Sequence, residues 1–358
     1  MDFAARQKRA REVMAARSLD ALLVTHLPNV RYLCGFSGSA GVLLLSGNRT
    51  VFFTDGRYRE QARAEVVGAR IVVPKDPAIA ASAKEISRLE AREVGIDADH
   101  MTVTTQVQLK RLLSGGVRLK SASGVIERLR MIKDADEITI LRNAVALGSS
   151  LLKPALNAIR SGVKETSVAA EIEYAARCAG AEGMSFETIV AAGKRSALPH
   201  GVASHEPIPA KGFVVLDFGV ILAGYCSDMT RTVHVGKAGS EDRRIYEAVL
   251  QAQLAAIAVV GPGVEVGNVD RAARSTLRKA KLDKYFTHST GHGVGLEIHE
   301  VPRVARGQHE VLQPGMVITI EPGVYVSGRG GVRIEDMVVV TDRGCEVLTR
   351  ASKDLIEI

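Results

Sequence analysis

The sequence predicts two domains, a smaller α/β domain at the amino terminus followed by a larger α+β domain. The chain has 358 residues, which is more than one hydrophobic core usually accommodates. Short β-rich runs alternate with helical or polar stretches up to about residue 122, as is typical of an α/β unit. After a connector near residue 125, longer helical stretches are interleaved with apolar strands. We therefore expect domains at 1–124 and 125–358.

The composition is that of an ordinary globular protein, with 46% hydrophobic and 24% charged residues. The net charge of +7 raises the question of nucleic-acid binding, but the basic residues are interspersed with acidic and apolar ones, and tryptophan is absent. We expect no nucleic-acid partner. No signal peptide and no run of about 20 apolar residues is present, so we expect no membrane association and a cytoplasmic location. The four cysteines are far apart without a CxxC pair, which favours reduced thiols.

Five β-rich runs predict the strands of the first domain. They are "ALLVT", "GVLLLS", "TVFFTD", "RIVVP" and "EVGID". The stretches "GRYREQARAEV" and "DPAIAASAKEISRLEA" predict intervening helices.

The second domain begins with an acidic helix start, and its first helix has apolar residues at roughly helical spacing. Further periodic stretches predict helices near 134–160, 165–180, 241–260 and 267–280. Apolar runs predict strands near 185–192, 213–218, 316–321 and 332–340.

Four acidic residues of this domain interrupt or end apolar runs. Asp217 lies in "GFVVLDFGV", Glu321 ends "MVITIE", Glu335 lies in "GVRIEDMVVV", and Asp228 follows Asp217 at a spacing that suits two neighbouring strands. "GFVVLDFGV" and "GMVITIEPGV" also resemble each other, which suggests two halves related by a pseudo-twofold axis. A carboxylate removed from water pairs, titrates or binds a cation.

Two divalent cations would neutralise all four carboxylates, whereas only Arg231 and Arg333 are close to them in sequence. An oxygen-rich ligand set favours hard or borderline ions such as Mn²⁺, Co²⁺ or Fe²⁺ over a thiolate zinc site. The sequence therefore predicts a metal centre.

The stretch "HSTGHGVGLEIHE", residues 288–300, supplies a nitrogen ligand for this centre. Its glycines allow close backbone approach, and His292 is the imidazole that we expect at the metal. The glycine pattern is weak evidence for phosphate binding, HExxH is absent, and nothing resembles a nucleophile elbow.

Six motifs of the second domain carry a family resemblance. They are "ALPHG", "VVLDFG", "GYCSDMTRT", "STGHGVGLEIHEVPR", "TIEPGVY" and "VRIED". In this order they resemble the signatures of the Xaa-Pro peptidases, the aminopeptidase P and prolidase branch of the pita-bread metallopeptidases. The amino-terminal "NVRYLCGFSGS" and "FTDGRY" resemble the creatinase-like domain of this branch, which methionine aminopeptidases usually lack. The resemblance implies a pita-bread catalytic domain.

The resemblance also implies a ligand set for two adjacent divalent ions. Asp217 would bind one ion, His292 and Glu321 the other, and Asp228 and Glu335 would bridge them. Mn²⁺ or Co²⁺ is favoured, with Zn²⁺ or Fe²⁺ as alternatives. Glu321 would also act as general base.

The remaining residues implied by the resemblance bind the substrate, a short proline-containing peptide. His200 and His299 would hold the substrate and the tetrahedral intermediate, Phe186 and Ile298 would surround the proline ring, and Arg303 would bind a free carboxylate. The resemblance further implies a homodimer.

Several functions stay open at this point. "RSALPHG" favours an Xaa-Pro aminopeptidase with additional dipeptidase activity, whereas Arg303 favours a strict Xaa-Pro dipeptidase, or prolidase. A non-catalytic peptide-binding module and a creatinase-like amidinohydrolase are more remote, because every metal-ligand position is intact.

Overall fold

A computed structural model of the chain describes residues 1–113 and 115–358. These residues form two compact units, Met1–Arg130 and Met131–Ile358. The units divide near the end of the helix Val125–Met131, whereas the sequence places the domain boundary at the start of this helix.

The described part of the first unit has one mixed six-stranded sheet in the order β4-β3-β2-β1-β5-β6. Its strands are β1 (Ala21–Val24), β2 (Val42–Ser46), β3 (Thr50–Phe53), β4 (Arg70–Val72), β5 (Glu93–Ile96) and β6 (Arg118–Ser121). Its helices are α1 (Phe3–Ala16), α2 (Leu27–Cys34), α3 (Arg59–Glu65), α4 (Ala78–Arg88), α5 (Val103–Leu112) and α6 (Val125–Met131). Each of the five predicted runs forms a strand, and their apolar residues supply the core.

The second unit combines helices with several small sheets. Its helices are α7 (Ala135–Ser150), α8 (Leu152–Ala158), α9 (Glu165–Cys178), α10 (Ser240–Ala258) and α11 (Val266–Lys279). Its first strands are β7 (Gly183–Met184), β8 (Ile189–Ala192), β9 (Gly212–Phe218), β10 (Val220–Leu222), β11 (Tyr225–Cys226) and β12 (Met229–Val235). The later strands are β13 (Gly291–Gly293), β14 (Glu300–Val304), β15 (Val317–Ile320), β16 (Gly323–Val326), β17 (Gly330–Arg333), β18 (Asp336–Thr341) and β19 (Gly344–Val347).

Two antiparallel sheets of this unit carry the acidic residues. One has the order β12-β9-β8, and the other has the order β14-β13-β15-β18-β19. The apolar strands β9, β15 and β18 are buried along nearly their whole length, as the sequence predicts. β12 is buried as well, although four of its seven residues are polar and no apolar run predicts a strand there. The first unit is therefore an α/β domain and the second an α+β domain, as the sequence predicts.

The predicted strand at 332–340 is interrupted. β17 ends at Arg333 and pairs with β16, whereas β18 begins at Asp336 and pairs with β15. Between them the Glu335 amide donates to the Thr230 carbonyl at 3.1 Å. The chain changes sheets at this point, so Glu335 lies in the break and not inside a strand.

None of the helices in the described ranges is long and apolar enough to cross a membrane. All four cysteines are free thiols, as predicted.

Candidate metal centre and active-site cleft

A cleft of about 790 Å³ in the second unit collects every site residue that the sequence predicts. These residues are Phe186, His200, Asp217, Asp228, His292, Ile298, His299, Arg303, Glu321 and Glu335. They lie in strands of both antiparallel sheets and in the segments next to them, so residues more than 100 positions apart in sequence meet in one cavity.

Two strand pairs bring the four carboxylates to the floor of the cleft. On the first pair, Asp217 near the end of β9 lies opposite Thr230, and Asp228 immediately precedes β12. On the second pair, Glu321 directly follows β15 and Glu335 directly precedes β18. The register of β15 and β18 places these two glutamates opposite each other. Each strand pair thus supplies two acids.

His292 joins the carboxylates from the neighbouring strand β13. Its amide donates to Thr319 Oγ1 at 3.1 Å, and its Nδ1 lies 2.9 Å from the Gly293 carbonyl. A proton on Nδ1 leaves Nε2 free to bind a cation. Nε2 lies 3.6 Å from Asp228 Oδ2 and 3.7 Å from Glu321 Oε1. Ligand atoms of Asp228, His292 and Glu335 all lie within 4.8 Å of one another.

The cluster carries uncompensated negative charge. Burial, and then the neighbouring carboxylates, raise the pKa of Asp228 and of Glu321 well above their usual values. Burial and the charge of Asp217 raise the pKa of Glu335 to about 8. Burial lowers the pKa of His292 to about 4, which keeps the imidazole neutral. A neutral imidazole beside carboxylates is the form that binds divalent metal ions.

Three buried carboxylate oxygens in this cluster accept no hydrogen bond: Asp217 Oδ1, Asp228 Oδ1 and Glu335 Oε1. Buried oxygen acceptors without donors are rare because each loses its hydration without compensation. Asp228 and Glu335 belong, with His292, to the group of closely spaced ligand atoms, and Asp217 lines the same cleft. The residues present therefore fit a divalent metal site.

Arg333 is the basic residue that enters the cluster. Its Nη2 pairs with Asp217 Oδ2, its Nε donates to Thr230 Oγ1 at 3.1 Å, and its Nη1 donates to the Tyr325 hydroxyl at 2.6 Å. Within the described ranges, a basic side chain therefore neutralises only one oxygen of one carboxylate in the cluster directly. The sequence identified Arg333 as a nearby charge but missed this anchoring role.

Tyr325 and His288 extend this network along the cleft wall. The Tyr325 hydroxyl lies 2.9 Å from His288 Nε2, and His288 Nδ1 lies 2.8 Å from the Ser289 carbonyl. Burial lowers the pKa of His288 to about 4 and raises that of Tyr325 to about 12. Both groups are neutral at pH 7, so Tyr325 donates to His288 while accepting from Arg333. Sequence reasoning did not find Tyr325, although it lies in the quoted motif "TIEPGVY".

The substrate side of the cleft contains His200 and His299, which are both exposed to it. The His299 ring packs edge-on against His292 with 4.4 Å between centroids. Desolvation, and then the neighbouring His200, lower the pKa of His299. Arg303 lies opposite His292 in the β13–β14 pair, so the two side chains point to the same face of the sheet. Phe186 lines the same cavity.

Helix α11 holds the segment that leads into β13, a feature that sequence reasoning missed. Buried Asp270 accepts from Thr290 Oγ1 at 2.7 Å and from Arg274 Nε at 2.8 Å. Arg274 also donates to the carbonyls of Phe286 and His288, and its guanidinium lies over the Phe286 ring. One helix thus fixes the approach to His292.

Two family models match the chain. Residues 139–342 match metallopeptidase family M24, and residues 6–132 match the creatinase/prolidase amino-terminal domain. The Xaa-Pro dipeptidase of Pyrococcus horikoshii is 38% identical, with 98% of each chain covered.

Solved structures show the same similarity over nearly the whole chain. An Xaa-Pro dipeptidase from Bacillus anthracis has 41% sequence identity, complete coverage of both chains and a TM-score of 0.97. An X-Pro aminopeptidase from Thermotoga maritima has 32% identity and a TM-score of 0.90, with 98% of this chain and 100% of that chain covered.

Proposed function

Because the chain belongs to metallopeptidase family M24 and begins with a creatinase/prolidase amino-terminal domain, we propose that it hydrolyses the bond between an amino-terminal residue and proline. It is a metal-dependent hydrolase. The observation that supports the proposed chemistry most strongly is the group of buried carboxylates at the floor of the cleft, three of which have an oxygen without a donor.

Five residues would hold two divalent ions. Asp217 would bind one ion, His292 and Glu321 the other, with Asp228 and Glu335 between them. The support is their common location in the cleft and the spacing of the Asp228, His292 and Glu335 ligand atoms. Mn²⁺ or Co²⁺ suits this oxygen-rich set with one imidazole. When bound, such ions lower the pKa of a water and polarise the scissile carbonyl.

The other catalytic roles belong to side chains of the chain itself. Glu321 accepts the proton of the attacking water and returns it to the proline nitrogen, because its carboxylate faces the cleft beside His292. His200 and His299 hold the substrate carbonyl and the tetrahedral oxyanion. Arg333 holds Asp217 in place through their ion pair. Phe186 and Ile298 surround the proline ring.

The position of Arg303 favours Xaa-Pro dipeptides as substrates. Its side chain is exposed on the cleft face of β14, and within the described residues no ion pair holds it. A free guanidinium there can bind the carboxylate of a carboxy-terminal proline through two parallel hydrogen bonds. Two similar proteins are named Xaa-Pro dipeptidase, which supports a preference for dipeptides. We propose dipeptidase activity with weaker action on Xaa-Pro-Yaa, whereas "RSALPHG" alone favours the aminopeptidase.

The test compares Ala-Pro, amidated Ala-Pro-Ala and Ala-Ala as substrates of the Mn²⁺-loaded enzyme. Hydrolysis of both proline peptides, but not of Ala-Ala, is expected. Arg303→Ala should raise KM for Ala-Pro by the equivalent of about 2 kcal/mol, and up to about 5 kcal/mol, with little effect on the amidated tripeptide. Equal losses on both substrates would show that Arg303 is structural, and hydrolysis of Ala-Ala alone would refute the proline specificity. Arg306→Ala, outside the cleft lining, is the matched control.

The number and identity of the metal ions, a homodimer and a cytoplasmic location stay predictions. Sedimentation of the metal-loaded protein would test the dimer.

A further inference from the structure

A buried ion pair joins the first residue of the substrate-binding strand β14 to the segment before helix α7. Lys133 Nζ and Glu300 Oε2 are 3.1 Å apart, and their side chains are only 1% and 5% exposed. Removing two charges from water is costly, and an apolar pair of similar size is often as stable. Stability alone therefore does not account for this pair.

The backbone of Lys133 is held by a hydrogen bond to the segment before β15. The Lys133 amide donates to the Gly315 carbonyl at 2.9 Å, and the neighbouring Ile132 forms a bridge to Met316. Lys133 is thus attached to the chain that leads into β15, the strand before Glu321. The ammonium group is a rigid anchor next to the proposed metal-binding strands.

Glu300 organises the loop between the two cleft histidines. Its Oε1 accepts from the Glu297 amide at 3.1 Å. A Cβ at Gly295 would lie 2.8 Å from both carboxylate oxygens, so only glycine lets the loop fold onto this carboxylate. The Gly295 carbonyl in turn accepts from Cys226 at 2.8 Å. The carboxylate is therefore the centre about which residues 294–300 fold.

The short chain between His299 and Arg303 couples the pair to the substrate. Glu300 directly follows His299 and lies three residues before Arg303, with the β-bulge of the β13–β14 pair between Glu300 and Arg303. Arg303 is exposed, whereas Pro302 and Val304 are buried. A shift of Glu300 would move both substrate-binding side chains together.

We propose that the Lys133–Glu300 ion pair positions β14, so that His299 and Arg303 are held at the correct distance from the carboxylate cluster. Both partners are positioning residues, since their charged groups are buried and paired with each other, and Glu300 reaches the cleft only as part of its wall. This inference rests on the proposed function, because it assigns the substrate to His299 and Arg303. A displacement of about 1 Å in a reacting geometry can cost about 10²-fold in rate.

The test uses the full-length, Mn²⁺-loaded enzyme with the double variant Lys133→Met/Glu300→Gln. This variant is uncharged and close in shape, and the glutamine can still accept from Glu297, so it avoids an unpaired buried charge. We expect kcat for amidated Ala-Pro-Ala to fall about 10- to 100-fold, with metal content and Tm close to wild type. For Ala-Pro, KM should rise as well, because only this substrate uses Arg303.

A control variant completes the experiment. Arg142→Met/Glu346→Gln removes an exposed ion pair and should change nothing. Amide hydrogen exchange of residues 294–303 should accelerate about tenfold or more in the Lys133→Met/Glu300→Gln variant alone.

Wild-type kcat together with wild-type exchange in Lys133→Met/Glu300→Gln would overturn the proposal. Loss of metal in parallel with activity would overturn it too, since the pair would then act through the metal centre. If wild-type enzyme cleaved no Xaa-Pro peptide, the proposed function would fail, but the exchange comparison would still decide whether the pair positions β14.

Discussion

The buried carboxylates with raised pKa values are not all neutralised by basic side chains of the described residues. Arg333 pairs with Asp217, but Asp228, Glu321 and Glu335 have no lysine or arginine partner among the described residues. Protons neutralise these carboxylates at low pH, and bound metal ions would neutralise them at neutral pH. The carboxylates that repel one another in the metal-free protein are thus the ones proposed to bind metal.

Glu321→Gln should lower kcat at least about 10³-fold while leaving Tm within a few degrees of wild type. The substitution removes a ligand charge and the proton acceptor together but keeps the side-chain shape. Peptide hydrolysis and thermal unfolding are the measurements. Glu187→Gln is the matched control, because Glu187 lines the cleft outside the carboxylate cluster. A Glu321→Gln enzyme with more than a tenth of wild-type kcat would exclude the proposed base.

His299→Ala should lower kcat about 10²- to 10³-fold and leave the metal content unchanged, because it is assigned to the substrate and not to the metal. His200→Ala should behave alike. Metal analysis by mass spectrometry and steady-state kinetics test both. His205→Ala, an exposed histidine a few residues beyond His200, is the control. If His299→Ala lost the metal, the roles assigned to His292 and His299 would have to be exchanged.

Single residues differ in how far the sequence predicts them. Asp217 could be found because it is the one charged side chain in an apolar run. The contact of Arg333 with Asp217 spans 116 positions, and that of Lys133 with Glu300 spans 167. Lys133 lies in the charged stretch "KDADE", where the sequence alone gives no sign of burial. The partner of such a charged side chain depends on how the sheets pack against each other. A single sequence does not show that packing, so it does not show the partner.

At the scale of elements, helices and strand cores could be predicted, but changes of sheet could not. Hydrophobic periodicity locates α9, α10 and α11 within a few residues. The same periodicity predicts one continuous strand at 332–340, because apolar residues continue through the point where β17 ends and β18 begins. The break arises from pairing with different neighbours, and it is what exposes Glu335 to the cleft.

Helix α11 should control the approach to His292 through Arg274. Arg274→Met should weaken Mn²⁺ binding about tenfold or more and speed amide exchange in residues 286–292, since three hydrogen bonds to this segment and to Asp270 are lost. Titration calorimetry and hydrogen exchange measure the two effects. Arg278→Met, one turn further along the same helix, removes only an exposed pair with Asp283 and should leave both unchanged. Equal effects of the two substitutions would contradict the role of Arg274.

For the whole molecule, the metal-free protein should lose stability as the pH rises from 6.5 to 8. The pKa of Glu335 is about 8 when folded and 4.5 for the free side chain, so over this range the folded state binds more protons than the unfolded state. Glu335 alone accounts for a loss of about 1 to 2 kcal/mol in the free energy of unfolding as the pH rises to 8. His288 and His292, with folded pKa values of about 4 against 6.5 when unfolded, act oppositely, mainly below pH 6.5, and together offset less than about 1 kcal/mol above it.

Thermal unfolding in chelator at pH 6.5 and pH 8 tests this dependence. Mn²⁺ should raise Tm more at pH 8 than at pH 6.5. At pH 8 a larger fraction of the ligand carboxylates is ionised, so the metal ion displaces fewer protons when it binds. A Tm of the metal-free protein that rises over this range would contradict the electrostatic description of the cluster.

The central claim is that this fold assembles a two-metal centre that cleaves Xaa-Pro bonds. Its most direct measurement is to remove metal with a chelator, titrate Mn²⁺ back by calorimetry, and follow Ala-Pro hydrolysis at each step. We predict that the metal-free protein is inactive, that two ions bind per chain, and that hydrolysis returns as these sites fill. Full hydrolysis of Ala-Pro by the metal-free protein, or no hydrolysis after both sites are filled, would contradict the claim.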